Sequence, residues 1–235
     1  MDRRRFLQGF SLGIAGFATP GLFAQQLTET ATTTEGPFYP DKLPLDTDND
    51  LVILNDSTTP GVGQVTHLEG RVLTSSGQPI RNAFVEIWQV DNTGSYVHTG
   101  GRQPSGHDKN FQGYGRFLTN TRGQYYFRTI KPIEYTLQNI FRTAHIHVAV
   151  SKNGRRVFTT QMLVAGHPAN ERDSIVRRLN SDALKTLLVE FKPLPGSKIG
   201  ELNANFEVVL GKTAEEGEDG QLRGVGAPLS RRRGQ

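Results

Sequence analysis

The 235-residue chain contains no cysteine. Disulfides, thiolate zinc sites and iron–sulfur clusters are therefore excluded, and any bound metal must be held by oxygen and nitrogen ligands. Long hydrophobic runs are also missing. The nearest approach is a Gly/Ala-rich stretch from Phe10 to about Ala24, too short for an ordinary membrane span, so no stable membrane insertion is expected once it is removed. No basic stripe with interleaved aromatics appears. The formal net charge is only +4, of which Arg3, Arg4 and Arg5 against Asp2 carry +2. That balance does not describe a nucleic-acid-binding protein. No internal repeat stands out.

What the chain does have begins with a basic head, Met1-Asp2-Arg3-Arg4-Arg5-Phe6-Leu7, ahead of the short apolar run. This reads as an export signal over residues 1–24, and the Arg-Arg-x-Phe-Leu pattern resembles a twin-arginine signal, implying a periplasmic location reached after folding. Residues 25–64, rich in Thr, Asp, Pro and Gly, read as an extended arm. Its aromatic segment around Phe38 and Tyr39 should pack either on its own domain or on a neighbouring subunit of a homo-oligomer. A single domain is expected over residues 65–212, followed by a disordered tail over 213–235.

Within that domain the periodicity is that of short strands. Val65–Leu73 alternates and ends at the Ser75–Pro79 turn cluster. Ala83–Val90 alternates and ends at Asp91-Asn92-Thr93-Gly94, with Tyr96 just beyond. Residues 97–113 read as a long surface loop. Arg116–Thr119 and Gln124–Thr129 look like a strand pair around Asn120-Thr121-Arg122-Gly123. An irregular loop from Lys131 carries Tyr135. Val157–Val164 and Asn205–Leu210 are further strands, and the spacing of Ile175, Leu179, Leu184 and Leu187 between them predicts one or two short helices capped at Asn170 or Ser181. The expected fold class is mainly β: a β-sandwich with short helical additions and long active-site loops.

The most informative stretch is Arg142-Thr-Ala-His145-Ile-His147-Val-Ala-Val150. It reads as a half-buried strand, on which His145 and His147 project from one side and can share a metal ion. Carboxylates are scarce nearby, which disfavours a cupin-like site. A zinc hydrolase would need a third ligand such as His167. The remaining histidines, His67, His98, His107 and His167, otherwise read as solvated. Arg142, an odd number of residues from His145, needs a loop or bulge to face the same site.

Taken in order, Glu35-Gly-Pro-Phe-Tyr-Pro40, Leu68-Glu-Gly-Arg-Val72, Val85-Glu-Ile-Trp-Gln89, Tyr96, Tyr126-Phe-Arg-Thr-Ile-Lys-Pro132, Tyr135, Arg142-Thr-Ala-His-Ile-His147 and Thr160-Gln161-Met162 resemble the intradiol ring-cleavage dioxygenases, the protocatechuate 3,4-dioxygenase type above all. The resemblance runs from about residue 34 to 210. It implies a mononuclear non-haem Fe(III) held by Tyr96, Tyr135, His145 and His147, with Tyr96 and His145 equatorial and Tyr135 and His147 axial. It implies a catechol-type substrate cleaved with O2 between the hydroxylated carbons to a cis,cis-muconate-type diacid. Tyr135 would accept a catechol proton, Arg142 and Gln161 would face the developing negative charge, and Gly36, Pro37 and Trp88 would border the substrate. Ferric iron suits such a set, because a hard trication favours anionic oxygen and can deprotonate a phenol.

The chain departs from that pattern in places. The segment between Tyr135 and Arg142 looks shorter than in the protocatechuate enzymes and lacks their tryptophan. The arm is too short for the helical dimerisation domain of the catechol 1,2-dioxygenases. Neither substrate is therefore assigned by default. A transthyretin-like β-sandwich binding module is the alternative that needs neither the tyrosines nor the histidine pair.

Overall fold

The computed structural model describes residues 26–44, 46–55, 57–98, 106–137 and 139–211, together with the paired two-residue segments 215–216 and 222–223. The expected export signal, and all of the expected tail but those two segments, lie outside the described residues.

Two five-stranded sheets form the body, as the alternating pattern predicts. In the first, β1 (Val65–Thr74) lies antiparallel to β4 (Gln124–Ile130) and parallel to β11 (Leu202–Asn205) and β12 (Val208–Leu210), with β10 (Phe191–Pro193) beyond β11. The second runs β3 (Tyr114–Leu118), β2 (Phe84–Trp88), β7 (His145–Lys152), β8 (Arg155–Val164) and β9 (Leu188–Val189). A separate hairpin pairs β5 (Tyr135–Leu137) with β6 (Ile140–Arg142). The helical additions are 3-10 turns at Pro168–Arg172 and Val176–Arg178 and the five-residue helix α1 (Ser181–Lys185). Their caps are His167 and Asn180 rather than Asn170 and Ser181.

Period-2 alternation decides what each strand buries. Leu68 and Val72 of β1, Phe127 of β4, Val85 and Ile87 of β2, and Ile146, Val148 and Val150 of β7 meet in one core between the sheets. The other faces of β2 and β7 carry Glu86, Trp88, His145, His147 and Ala149, and these are buried too. The expectation of a half-buried β7 is therefore corrected: both of its faces are covered. The cover comes from Tyr96, Tyr135 and Leu137 together with Phe38 and Tyr39 of the arm. The arm is tied along the sheets by hydrogen bonds from Leu27 N to Ser75 O (2.8 Å), from Thr30 N to Val209 O (3.0 Å) and from Thr33 N to Thr159 O (3.2 Å). Farther along, Leu51 and Val52 of the arm enter the core with no exposed surface. The arm thus packs on its own domain.

The strand pair expected around Asn120–Gly123 is not a hairpin of one sheet. The turn is present, with Gly123 N donating to Asn120 O at 2.9 Å, but β3 pairs with β2 and β4 with β1. The chain crosses from one layer to the other there, which short-range alternation cannot distinguish from a hairpin. Conversely, the loop expected to carry Tyr135 contains the ordered hairpin β5–β6.

Candidate metal centre

Three separate pieces of chain bring four donor side chains together on the outer face of the second sheet. His145 and His147 stand on β7, held by pairing with β8 and β2. Tyr135 opens β5. Tyr96 follows the turn after β2, where the Asp91 carboxylate accepts hydrogen bonds from Thr93 N (2.8 Å), Ser95 N (3.0 Å) and Asp108 N (2.6 Å). Gly94 in that turn has φ +83°, and a Cβ there would lie 3.3 Å from Tyr135 Cβ, so glycine lets the two tyrosine-bearing segments close on each other.

The donor atoms converge. Tyr96 Oη lies 2.9 Å from Tyr135 Oη, 3.1 Å from His147 Nε2 and 3.4 Å from His145 Nε2. His145 Nε2 lies 3.2 Å from His147 Nε2 and 3.5 Å from Tyr135 Oη. Atoms about 2 Å from a common ion sit about 2.8–3.5 Å from one another at bond angles between 90° and 120°. His145 Nδ1 donates to Thr143 O at 2.6 Å, which fixes the tautomer and turns the Nε2 lone pair toward the cluster. His147 presents Nε2 to the cluster, its Nδ1 is buried without a partner, and its ring stacks on Trp88 at 4.7 Å.

Burial, reinforced by the Arg142 charge, lowers the His145 pKa to about 3. Burial, His145 and Arg142 push His147 down as well, so both rings are neutral and ligand-ready. Burial raises the phenols of Tyr96 and Tyr135. Two neutral imidazoles and two phenols that ionise only when a strong positive charge is supplied fit a hard, highly charged ion. Among the described residues no three His, Cys, Asp or Glu side chains gather, so a metal held here depends on the tyrosines.

Arg142 ends β6, and the break at Thr143–Ala144 before β7 turns it to the site, as its odd offset requires. Its Nε donates to Asp173 at 2.9 Å and its Nη2 to Gln161 Oε1. Gln161, paired with His147 across β7–β8, donates from Nε2 to Thr34 O of the arm at 2.8 Å.

A cavity of about 200 Å³ opens against this cluster, with Tyr135, Arg142 and His147 in its wall and Gly36, Pro37 and Phe38 of the arm across from them. Gly36 has φ +70°, and its missing Cβ would stand 3.5 Å from His147 Cε1. Phe38 stacks on Tyr96 at 5.2 Å. The arm is clasped from behind. Glu86, a carboxylate in the middle of apolar β2, accepts from Tyr39 Oη (2.7 Å), Tyr114 Oη (2.6 Å) and Arg156 Nη2 (2.9 Å). Burial alone would raise the Glu86 pKa, but the two hydroxyls and the guanidinium outweigh it and hold the carboxyl ionised. Arg156 also pairs with Glu35 and lies over the Tyr39 ring at 4.5 Å.

The structure thus gathers Tyr96, Tyr135, His145, His147, Arg142, Gln161, Gly36 and Pro37. Three expectations are corrected. Trp88 has no exposed surface and does not border the cavity; it backs His147, because its β2 position pairs with His147 and the arm closes over both. His167 does not join the histidine pair; it caps the 3-10 turn by accepting from Ala169 N at 3.3 Å, so the zinc triad does not form. His67 is not simply solvated, since it contacts Tyr126 Oη (2.7 Å) and Glu201 Oε1 (3.1 Å). Sequence reasoning missed Asp173, the Glu86–Arg156 clasp and the cavity residues Leu137, Ile140 and Ile175. Only Glu86 carried a signal, as a charge between Val85 and Ile87.

A family profile described as "Dioxygenase" matches residues 34–211. The protocatechuate 3,4-dioxygenase beta chain of Burkholderia cepacia is 34% identical over 154 residues, 63% of this chain and 65% of that one. Catechol 1,2-dioxygenase 2 of Acinetobacter lwoffii is 32% identical over 153 residues, 59% of this chain and 52% of that one. The chain therefore spans between about half and two thirds of the length of these relatives. Among solved structures, the dioxygenase domain of a dioxygenase–carbohydrate-binding protein fusion from Streptomyces sp. SirexAA-E superposes with a TM-score of 0.58 at 28% identity, covering 78% of this chain and 99% of that one.

Proposed function

The chain belongs to the intradiol dioxygenase family, and from that premise we propose that it cleaves a catechol-type ring between its two hydroxylated carbons with O2, using one ferric ion, to a cis,cis-muconate-type diacid. The observation that carries the reading is the buried convergence of Tyr96, Tyr135, His145 and His147 beside an open cavity. These four side chains would hold the iron, two as phenolates and two as neutral imidazoles. Bound there, ferric iron would ionise the phenols and withdraw electron density from a chelated catechol, opening a ring carbon to O2.

The chain's own residues divide the remaining work. Tyr135 lines the cavity and Tyr96 does not, so the Tyr135 oxygen is the phenolate within reach of a catechol proton and acts as its acceptor. Arg142 faces the same space and offers fixed positive charge to negative charge developing on the substrate. Asp173 and Gln161 hold that guanidinium, and Gln161 ties it to the arm. Gly36, Pro37 and Phe38 of the arm complete the cavity wall beside His147.

The test is a visible spectrum of the purified protein with its iron content, before and after anaerobic addition of catechols. A reddish phenolate-to-iron band that shifts on each addition, that weakens in Tyr96→Phe and that is lost when Tyr135 is replaced by Phe as well, is expected. A protein that stays colourless after ferric loading would sink the reading in favour of a binding module.

A further inference from the structure

The hairpin β5–β6 sorts its side chains by alternation. Tyr135 and Leu137 from one strand and Ile140 and Arg142 from the other all border the cavity, while Thr136 and Phe141 occupy the opposite face. Two of the four are the polar groups of the site already described. The other two are branched aliphatics, and Ile175 with Pro37 and Phe38 extends the same apolar wall. Ile140 is 57% exposed and marks the mouth, whereas Tyr135, His147 and Arg142 are buried at the inner end.

Charge is scarce around this space. Among the described residues that line it, Arg142 is the only cation, and its charge is already balanced by the Asp173 carboxylate at 2.9 Å. Arg172 nearby in sequence lies 4.4 Å over the Phe141 ring, on the face of the hairpin turned away from the cavity. Thr34 and Ser174 are the neutral polar side chains at the rim. The cavity, about 200 Å³, matches one aromatic ring with a small substituent, since a dry cavity of about 150 Å³ accommodates benzene.

On the reading of the site as a ring-cleaving centre, we propose that its substrate is a catechol without an anionic substituent, bearing only hydrogen or a small neutral apolar group away from the hydroxyls. With its hydroxyls at Tyr135 and His147, such a ring places its far edge against Leu137, Ile140, Ile175 and Phe38. A ring carboxylate at that edge would lie against an aliphatic wall that, among the described residues, offers no free cation to receive it. Ile140 and Leu137 are the specificity-determining residues.

The experiment uses the full chain loaded with ferric iron. Calorimetric titration compares 4-ethylphenol with 4-hydroxybenzoate, and turnover compares 4-methylcatechol with 3,4-dihydroxybenzoate. The neutral member of each pair is favoured by on the order of 100-fold, in Kd and in kcat/KM. In Ile140→Lys, an exposed position that tolerates the change, both preferences narrow at least about 10-fold as a cation reaches the mouth. Equal or tighter binding of the hydroxybenzoate by the unaltered protein overturns the proposal whatever the turnover. A clear preference for the neutral phenol with no ring cleaved leaves the apolar selection standing and sinks the dioxygenase reading instead. A folded Ile140→Lys protein with unchanged ratios removes Ile140 from the selecting wall.

Discussion

Asp173 is fully buried, and its carboxylate is ringed by donors: Arg142 Nε and Thr143 N, each at 2.9 Å, Ile175 N at 2.8 Å and Val176 N at 3.1 Å. Burial by itself would raise its pKa, but the Thr143 amide and the Arg142 guanidinium outweigh that and hold it below the usual carboxylate value. A carboxyl depressed in the fold stabilises the protein above its unfolded pKa of about 4 and loses that contribution as the pH falls through the lower folded value. Asp173→Asn should therefore lower stability at pH 7 by about 3–5 kcal/mol, because it leaves Arg142 buried without a counter-charge. The gap between variant and parent should narrow at pH 3, and urea midpoints at the two pH values measure both effects. A ring-cleavage rate reduced at least about 10-fold should accompany the loss, since Arg142 would no longer be aimed at the cavity. At this scale the histidine pair was legible, since two histidines two apart on a strand share a face, whereas the two tyrosines were singled out by the family resemblance. Asp173 was not, because it sits 31 residues from Arg142 and only the folded chain brings them together.

Among the elements, the arm contributes most to the site for its lack of regular structure. It caps the outer face of β2 and β7, supplies Gly36, Pro37 and Phe38 to the cavity, and is clasped through Glu35 and Tyr39 by Arg156 and Glu86. Arg156→Met should free this segment. Limited chymotrypsin digestion would then cut after Phe38 several-fold faster, with KM raised more than kcat is lowered. The expected stability loss is about 1–3 kcal/mol, below that of a fully buried pair because the Arg156 side chain keeps some water. Arg156→Lys should restore part of the protection by keeping the charge without the planar fork. Digestion at the parental rate in the Met variant would rule out the clasp. The aromatic content of the arm predicted that it packs on something, and the surface that receives it became visible only in the fold. The turn at Asn120–Gly123 makes a similar point, since the same local signal serves a hairpin and a crossing between sheets.

For the whole molecule, an ion at the cluster would join the loop after β2, the hairpin β5–β6 and β7, three segments spread over about fifty residues of chain. Ligand binding to the folded state alone stabilises it by about 2.7 kcal/mol at a hundred times the dissociation constant. For a domain of roughly this size, stripping the metal with a chelator should lower the melting temperature by about 5–10 °C, and ferric iron should restore it. An unchanged melting curve would show that no ion bridges the three segments. The sequence by itself determined the strand-rich class, the oxygen-and-nitrogen character of any metal site, and the shared face of His145 and His147, because alternation and the absence of cysteine are local properties; Tyr96 and Tyr135 entered the donor set through the family resemblance. Tertiary structure decided what covers the histidine face, which carboxylate balances Arg142, that Trp88 stands behind His147 and not beside a substrate, and that the far wall of the cavity is aliphatic. Those are consequences of which strands become neighbours, and strand order is set by packing across the whole chain, beyond the reach of any local pattern.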